Sequence, residues 1–511
     1  MTTHRDSAPS HGSPPGESLK SNRLGIAGIV FFVVAAAAPL VGMTGAVPVA
    51  IVLGNGAAAP GAYLAVGIVL LVFSVGYSAM SLRVSNTGAF FAYVGRGLGV
   101  VPGVGSAFVS LLAYIAIQLA IFGFFGAVAA GQFDARLGID LSWWVWALLA
   151  WALVLGLSIM QVDLGAKLLG VLMLAEVAAL GLVAVVVLFQ GGGPDGLSPA
   201  SSFSPAKIFE GGFTGSAGIA LAFAFASYIG FEATAIYAEE TKDPKRAVPI
   251  ATYTAVTLIA VLFALTSWAV VSGIGSSNIV EEVANRSAID GEPLADPAAV
   301  LFSVADQYVG SWLGSVMSWL VLTSLFAGLL AFQNSAARYF FSLGRAGVLP
   351  RALDRVNKGG APVAGALTTS AISLVVIVLF VVTDKDPVLN MFFWFSAMAV
   401  LAIVLVEILV SAAVIAYFRR TGEDTRPWNT MIAPAISIVG LALGAYLVAA
   451  RFGLLAGTVA EGVDPTAQTF GLSTLGWFLV LAPFIVFAIG LLVGRIRRGS
   501  ENADAIADLV S

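Results

Sequence analysis

Residues 39–48 read PLVGMTGAVP and interrupt the first long apolar stretch of the chain. Two prolines remove amide donors from a helix here, and two glycines weaken it. A second interruption, FASYIGFE at residues 225–232, lies five apolar stretches later. Helices broken at corresponding positions of two halves indicate an inverted-repeat transporter with its binding site at the membrane midplane. The alternative is that Gly42, Gly45 and Gly230 only allow close helix packing.

The whole chain is strongly apolar. It has 511 residues, of which 59% are hydrophobic and 11% charged, and its mean hydropathy is +0.95. An ordinary soluble domain carries about 25% charged residues, so this composition excludes a soluble protein. Twelve apolar stretches are long enough to cross a membrane as helices: 24–53, 59–82, 103–131, 142–160, 164–189, 215–239, 247–272, 312–341, 363–383, 388–418, 430–452 and 474–494. Membrane β-strands would alternate over about 10 residues, so the predicted fold class is an all-α polytopic membrane protein with these helices.

The basic residues are distributed unevenly between the two sides of the predicted bundle. When successive loops alternate between sides, only five of the 25 Lys and Arg residues fall opposite the N-terminus: Arg136, Lys207, Arg286, Lys385 and Arg451. By the positive-inside rule the N-terminal side is cytoplasmic. We therefore expect a multi-pass protein of the plasma membrane with both termini in the cytoplasm.

Several kinds of chemistry are excluded by what the chain lacks. It has no cysteine, and its two histidines, His4 and His11, lie in the N-terminal tail. We therefore expect no thiolate nucleophile, no metal site, no cofactor and no enzymatic activity in the bundle. The chain also has no GxxxxGK[ST] loop for ATP, and its net charge of -4 argues against nucleic acid as a partner. The expected partners are the lipid bilayer, a small-molecule substrate, and a coupling proton or an exchanged substrate.

Three acidic residues lie well inside predicted spans: Glu176, Glu232 and Glu407. An ionised carboxylate at the bilayer centre is costly, so each is a candidate for coupling or binding. Glu232 directly follows the second interruption and is best placed to bind a substrate amine or to carry a proton. The alternative for Glu176 and Glu407 is a hydrogen bond to a neighbouring helix. Three acids and no base in the spans favour substrates with a cationic amine, including polyamines.

A run of mixed charges follows the sixth apolar stretch. It consists of Glu239, Glu240, Lys242, Asp243, Lys245 and Arg246. Such a run is usually solvated, but salt bridges beside a moving helix can open and close as a cytoplasmic gate. We therefore predict a gate at this end of the sixth helix.

Four motifs resemble the amino acid-polyamine-organocation superfamily of permeases. The longest is GFEATAIYAEETKDPKRAVP at residues 230–249, and the second is NSAARY at 334–339 followed by GRAGVLP at 344–350. Weaker matches are Thr44-Gly45 and GAFFAY at 88–93. The resemblance covers about residues 23–495. It implies the leucine-transporter fold, in which a five-plus-five inverted repeat is joined by two peripheral helices.

The resemblance also implies a division of the chain. It comprises a disordered cytoplasmic tail (1–22), a first repeat (23–189), an extracellular loop (190–214), a second repeat with an extracellular loop at 273–311 (215–418), two peripheral helices (419–495) and a second cytoplasmic tail (496–511).

In that superfamily the substrate carboxylate meets backbone amides of the broken first helix. The implied residues here are Gly42, Met43, Thr44 and Gly45. This agrees with the unpaired N–H groups and positive dipole end that a half-helix offers at its N-terminus. The substrate amine would meet carbonyls near Val41 and in the second interruption, near Phe225, Ala226, Ser227 and the neighbouring Gly230. Tyr228 and Phe225 are candidates for an aromatic lid, with ordinary packing as the alternative.

One position departs from the superfamily. Proton-coupled relatives often carry a lysine in the fifth helix, where this chain has Glu176. This leaves carboxylate protonation, or a cation paired with Glu176, as the options for coupling.

The leading hypothesis is a secondary active transporter for amino acids or related amines. It would work by alternating access, coupled to protons or exchanging substrates, and a polyamine importer is the alternative. A channel or receptor is a further class, but a channel needs a continuous polar ring, and these spans hold isolated acids.

Overall fold

The computed structural model describes residues 25–84, 90–160, 162–289, 291–294 and 296–497, and for 162–169 it describes the backbone only. The predicted tail at 1–22, most of the tail at 496–511, and residues 88 and 89 of the GAFFAY motif lie outside these ranges. Within the described residues the chain is helical and forms no β-strand, so the all-α class is confirmed.

The α-helices are numbered along the chain. The N-terminal group is α1 (Ile26–Ala37), α2 (Pro39–Val49), α3 (Ala59–Ser81), α4 (Phe90–Leu98), α5 (Val100–Leu137), α6 (Trp143–Ile159) and α7 (Val162–Phe189). The middle group is α8 (Pro199–Phe203), α9 (Pro205–Ile208), α10 (Ser216–Ser227), α11 (Pro244–Ile274), α12 (Ile279–Arg286) and α13 (Ala298–Tyr308). The C-terminal group is α14 (Ser311–Arg345), α15 (Val363–Val382), α16 (Phe393–Thr421), α17 (Ala433–Ala450), α18 (Phe452–Ala456) and α19 (Thr474–Arg497).

Ten segments of the described chain are long and apolar enough to cross a membrane. The first, Ile26–Ser81, contains two of the predicted spans, and the shorter apolar helix α6 lies at the fourth predicted span. The count of twelve spans, the five-plus-five repeat and the domain boundaries stay predictions.

α1 and α2 are the two halves of one interrupted helix. Between them Ala38 has a φ of 41°, in the left-handed region, and Pro39 begins α2. Proline cannot continue α1, but it suits the first position of a helix, where its missing N–H needs no partner. The break therefore lies just before the predicted stretch 39–48, and Gly42 and Gly45 lie within α2.

The sixth predicted span is interrupted at Gly230. α10 ends at Ser227, Gly230 has a φ of 111°, and a 3₁₀ helix follows over Phe231–Glu240. Only glycine adopts such a positive φ without strain. A long 3₁₀ stretch within a helix often marks a functional hinge, because its hydrogen bonds are weaker than those of an α-helix.

The two interrupted helices lie in the middle of the bundle. α1 packs against α7, α11, α14 and the 3₁₀ helix, while α10 packs against α2, α3 and α17. The segment Ser216–Glu240 is also the most deeply buried candidate span, with 94% of its most apolar window inside the protein. Its polar groups are therefore shielded from lipid.

Candidate functional site

The two helix breaks touch each other. Gly230 packs on the backbone at the end of α1, and a Cβ atom at this position would lie 2.9 Å from the Ala36 carbonyl carbon. The two interruptions identified in the sequence therefore meet in three dimensions, inside the bundle.

We expect Gly230→Ala to destabilise the protein. An alanine would adopt an unfavourable left-handed conformation at a φ of 111° and would also press on Ala36. Strain of this kind costs about 1–3 kcal/mol, so the melting temperature in detergent should fall by several degrees. The matched control is Gly131→Ala in α5. The added Cβ has open space there, so the melting temperature should not fall. Equal melting temperatures for Gly230→Ala and the unmodified protein would contradict this prediction.

Glu232 is buried at the crossing, with both carboxylate oxygens bound. Its Oε2 accepts a hydrogen bond from the Gly230 N–H at 2.8 Å. Its Oε1 accepts one from the Tyr114 hydroxyl of α5 at 3.2 Å. The carboxylate therefore satisfies an amide that the interruption frees, as a buried polar group requires.

A second tyrosine supports the backbone around Glu232. The Tyr77 hydroxyl of α3 donates to the Glu232 carbonyl at 2.7 Å and accepts from the Ala235 N–H at 3.2 Å. Tyr77 thus gives a side-chain partner to two backbone groups of the irregular segment.

Glu176 lies at the other break. It is buried on α7, and its carboxylate accepts a hydrogen bond from the Leu40 N–H near the start of α2. The carboxylate thus sits at the positive end of the α2 dipole, which stabilises negative charge.

Glu407 is buried on α16. Its Oε1 has no hydrogen-bond partner in the described part of the chain, and its carboxylate is close enough to Glu232 for the two groups to interact electrostatically. A carboxylate without a partner in such a place is costly when ionised.

A buried ion pair joins the end of the 3₁₀ helix to α14. Arg338 is fully buried, and its guanidinium binds both carboxylate oxygens of Glu240, at 2.5 and 3.0 Å. The guanidinium also lies over the Tyr237 ring, 4.7 Å from its centre. This two-pronged geometry and the aromatic contact are the arrangement that arginine favours in buried pairs.

A second pair lies beside the first. Arg345 of α14 binds Glu239 through two hydrogen bonds of 2.6 and 3.1 Å, and both side chains are partly exposed. By contrast, Lys242, Lys245 and Arg246 are exposed. Asp243 accepts the Arg246 N–H and so caps α11. Of the predicted gate, the two glutamates are thus the members joined to another helix.

The amino acid permease family matches this chain from residue 28 to residue 493. The chain belongs to the amino acid permease family. This confirms the resemblance to the amino acid-polyamine-organocation superfamily and the prediction of a transporter class instead of an enzyme class.

Three relatives show how the permease compares with other transporters. It is 31% identical over 219 residues to an uncharacterized transporter of Legionella pneumophila, covering 42% of this chain and 44% of the relative. It is 27% identical over 198 residues to a branched-chain amino acid permease of Lactococcus lactis, covering 38% and 39%. It is 30% identical over 242 residues to a chloroplastic cationic amino acid transporter of Arabidopsis thaliana, covering 47% and 36%. The matched part therefore spans less than half the length of each relative.

The predicted carboxylate-binding residues of the permease lie within α2. Met43 and Thr44 are buried, while Gly42 and Gly45 are half-buried. A Cβ atom at Gly42 would lie 3.0 Å from the Phe263 ring, whereas one at Gly45 would meet no atom within 4 Å. Close packing thus accounts for Gly42 but not for Gly45. Their role in binding stays a prediction, as does that of the Val41 carbonyl, which accepts a bond from the Thr44 hydroxyl at 3.3 Å.

The predicted residues of the second interruption also have defined contacts. The hydroxyl of Ser227 donates to the Phe223 carbonyl at 3.0 Å, and Ala226 is half-buried. Two members are aromatic: Phe225 packs on Gly444 of α17, and the Tyr228 hydroxyl donates to the Tyr63 carbonyl of α3 at 2.8 Å. The two rings thus contact different helices, and the aromatic lid stays a prediction.

Sequence reasoning missed Tyr77, Tyr114 and the pairing of Arg338. A buried tyrosine needs a partner for its hydroxyl, so tyrosines within apolar spans are a usable signal. That signal does not identify the partner, because Tyr114 and Glu232 are 118 residues apart.

Proposed function

We propose that the permease carries amino acids across the plasma membrane by alternating access, coupled to protons or to exchange of a second substrate. The observation that carries this proposal is the contact between the two helix breaks, with Glu232 at the crossing. Interrupted helices expose amides and carbonyls that a polar substrate can satisfy, at a depth where lipid cannot.

The ion pairs at the end of the 3₁₀ helix are the proposed cytoplasmic gate. Glu240 and Glu239 tie this helix to Arg338 and Arg345 of α14. Opening the inner side requires the two helices to separate, and both pairs would then break. Lys242, Lys245 and Arg246 are exposed, so they would act in the gate only if the opening brings partners to them.

Glu232 is the proposed centre of coupling, with Glu176 and Glu407 as further carriers. Its carboxylate is positioned to pair with a substrate amine or to take up a proton, since both processes neutralise a buried negative charge. We place the N- and C-termini in the cytoplasm, because the basic residues predict this orientation.

A liposome experiment tests this proposal. Purified protein would be reconstituted and offered labelled L-alanine, L-leucine and L-lysine, with and without an inward proton gradient and with internal substrate. We expect saturable uptake of at least one amino acid and its stimulation by the gradient or by internal substrate. Protein-free liposomes are the control, and uptake equal to theirs for every amino acid would overturn the proposal.

A polyamine importer is the second candidate. The three buried carboxylates favour it, because a diamine offers two cationic groups and no carboxylate. Labelled putrescine and spermidine in the same liposomes distinguish the candidates. Uptake of these amines, without uptake of amino acids, would favour polyamine import.

A further inference from the structure

Both helix breaks are closed by a carboxylate of the protein itself. Glu232 holds the Gly230 N–H from only two residues away. Glu176 holds the Leu40 N–H from another helix, 136 residues along the chain. The second contact therefore depends on how α7 packs against α2.

The Leu40 amide is the available donor in the first turn of α2. Pro39 has no N–H, and the N–H groups of Val41 and Gly42 both bond to the Ala38 carbonyl, at 2.9 and 3.2 Å. The first amides of a helix, at its positive end, are where a protein binds carboxylate groups most readily. Glu176 thus occupies the place that a substrate carboxylate would take.

In the part of the chain whose side chains are described, no charged side chain bonds to Glu176. Among the described residues, the helices that pack against α7 are α1, α2, α6, α11, α13 and α14. α1, α2 and α6 contain no titratable side chain. The others carry Lys245, Arg246, Tyr253, Asp306, Tyr308, Arg338, Tyr339 and Arg345, and none of these side chains forms a hydrogen bond or an ion pair with Glu176. A Glu176 carboxylate that left the Leu40 amide would be an unpaired buried charge, which is strongly unfavourable.

A partner for the protonated form lies next to Glu176. The side chain of Ser324 of α14 is buried beside the carboxylate, and its hydroxyl has no hydrogen-bond partner among the described residues other than that carboxylate. A neutral carboxylic acid is a hydrogen-bond donor, and a serine oxygen can accept from it.

We propose that Glu176 and the substrate carboxylate are alternative ligands of the Leu40 amide, and that each exchange between them moves one proton. This inference rests on the proposed function. When an amino acid binds, its carboxylate accepts the Leu40 N–H in place of Glu176. Glu176 then takes up a proton from the outer solution, and the O–H group that forms donates a hydrogen bond to Ser324. When the substrate leaves on the inner side, this O–H bond breaks, the proton enters the cytoplasm, and the Glu176 carboxylate returns to Leu40.

This exchange couples the two fluxes without a lysine in the fifth helix, with Glu176 carrying the proton while Glu232 holds the substrate amine. One zwitterionic amino acid moves inward with about one proton, so a gradient of one pH unit supports up to about tenfold accumulation. An amino acid carboxamide offers Leu40 only a neutral carbonyl oxygen, which binds more weakly than the charged Glu176 carboxylate at the positive end of α2 and therefore leaves Glu176 in place.

Proton uptake on binding tests the inference directly. The purified full chain, in weakly buffered detergent solution with a pH indicator, would receive L-alanine, L-leucine or L-lysine, or the carboxamide of each. We expect about one proton taken up per bound amino acid and none per bound carboxamide.

Glu176→Gln keeps an oxygen for the Leu40 N–H but cannot exchange a proton, so amino acids should bind without proton uptake. In liposomes this variant should retain exchange and lose accumulation driven by the gradient. The control is Glu281→Gln in α12, an exposed acid, which should behave as the unmodified protein.

The outcomes separate the two claims. Equal proton uptake by Glu176→Gln and the unmodified protein, or equal uptake with an amino acid and its carboxamide, would overturn the exchange and leave amino acid transport intact. The carboxamide comparison uses the unmodified protein, so it decides the matter even if the variant does not fold. Failure of all three amino acids to bind would instead overturn the proposed function, and the exchange with it.

Discussion

Glu232→Gln is expected to abolish accumulation of substrate against its gradient. Glutamine keeps the shape of the side chain and one oxygen for the Gly230 N–H, so the crossing of the two breaks should persist. It has no negative charge to pair with a substrate amine and does not titrate. With a gradient of one pH unit, the accumulation ratio in liposomes should therefore fall from as much as about tenfold to about one.

Two measurements make this result specific to Glu232. Glu461→Gln changes an exposed acid in the same way and should accumulate substrate normally. Exchange of internal for external substrate separates the two possible roles of Glu232. This exchange of substrate should persist if Glu232 only carries a proton. It should weaken by about tenfold or more if the carboxylate holds the amine, since a buried hydrogen bond to a charged group contributes about 1.5–3 kcal/mol. Normal gradient-driven accumulation by Glu232→Gln would show that coupling depends on other groups.

Arg338→Met is expected to destabilise the folded protein more than any surface substitution. Methionine fills part of the volume of Arg338 but leaves Glu240 as a buried charge without its two-pronged partner. Breaking a buried pair in this way costs about 3–5 kcal/mol. The measurement is thermal unfolding in detergent, where the melting temperature should fall by about 5 °C or more.

The controls are a second substitution at Glu240 and a substitution in the neighbouring ion pair of Arg345 and Glu239. Adding Glu240→Gln to Arg338→Met removes the unpaired charge and should recover much of the lost stability. If the pair also forms the inner gate, this double variant should regain stability without regaining normal transport. Arg345→Met at the neighbouring, partly exposed pair with Glu239 should cost at most about 1 kcal/mol. Equal losses at Arg338 and Arg345 would contradict the contrast in burial.

Several features of the candidate site could be predicted because they depend on neighbours along the chain. The interruption at Gly230 and the acid two residues later lie in one short segment, so the sequence shows both the freed amide and the group that binds it. The first interruption was predicted from its prolines, but its position shifted to Ala38, because a proline begins a new helix more readily than it bends one.

The gate was predicted less completely, because its ion pairs join residues that are far apart along the chain. A run of charges from Glu239 to Arg246 shows which residues are ionised, but not which of them face another helix. In the folded chain the two glutamates face α14, and the basic residues face outward. Both arginine partners lie about a hundred residues further on, where the sequence marks them only as the end of a helix.

The sequence by itself determined the all-helical membrane class, the two interrupted helices and the place of Glu232 beside its break. These follow from composition and from the effects of proline and glycine on the nearest few residues of backbone. Only the tertiary structure decided that Glu176 binds the Leu40 amide, 136 residues away, and that Arg338 binds Glu240, 98 residues away. A buried charge is stabilised by whichever donor or ion the packing of helices brings within hydrogen-bond distance, and separation along the chain carries no information about that distance.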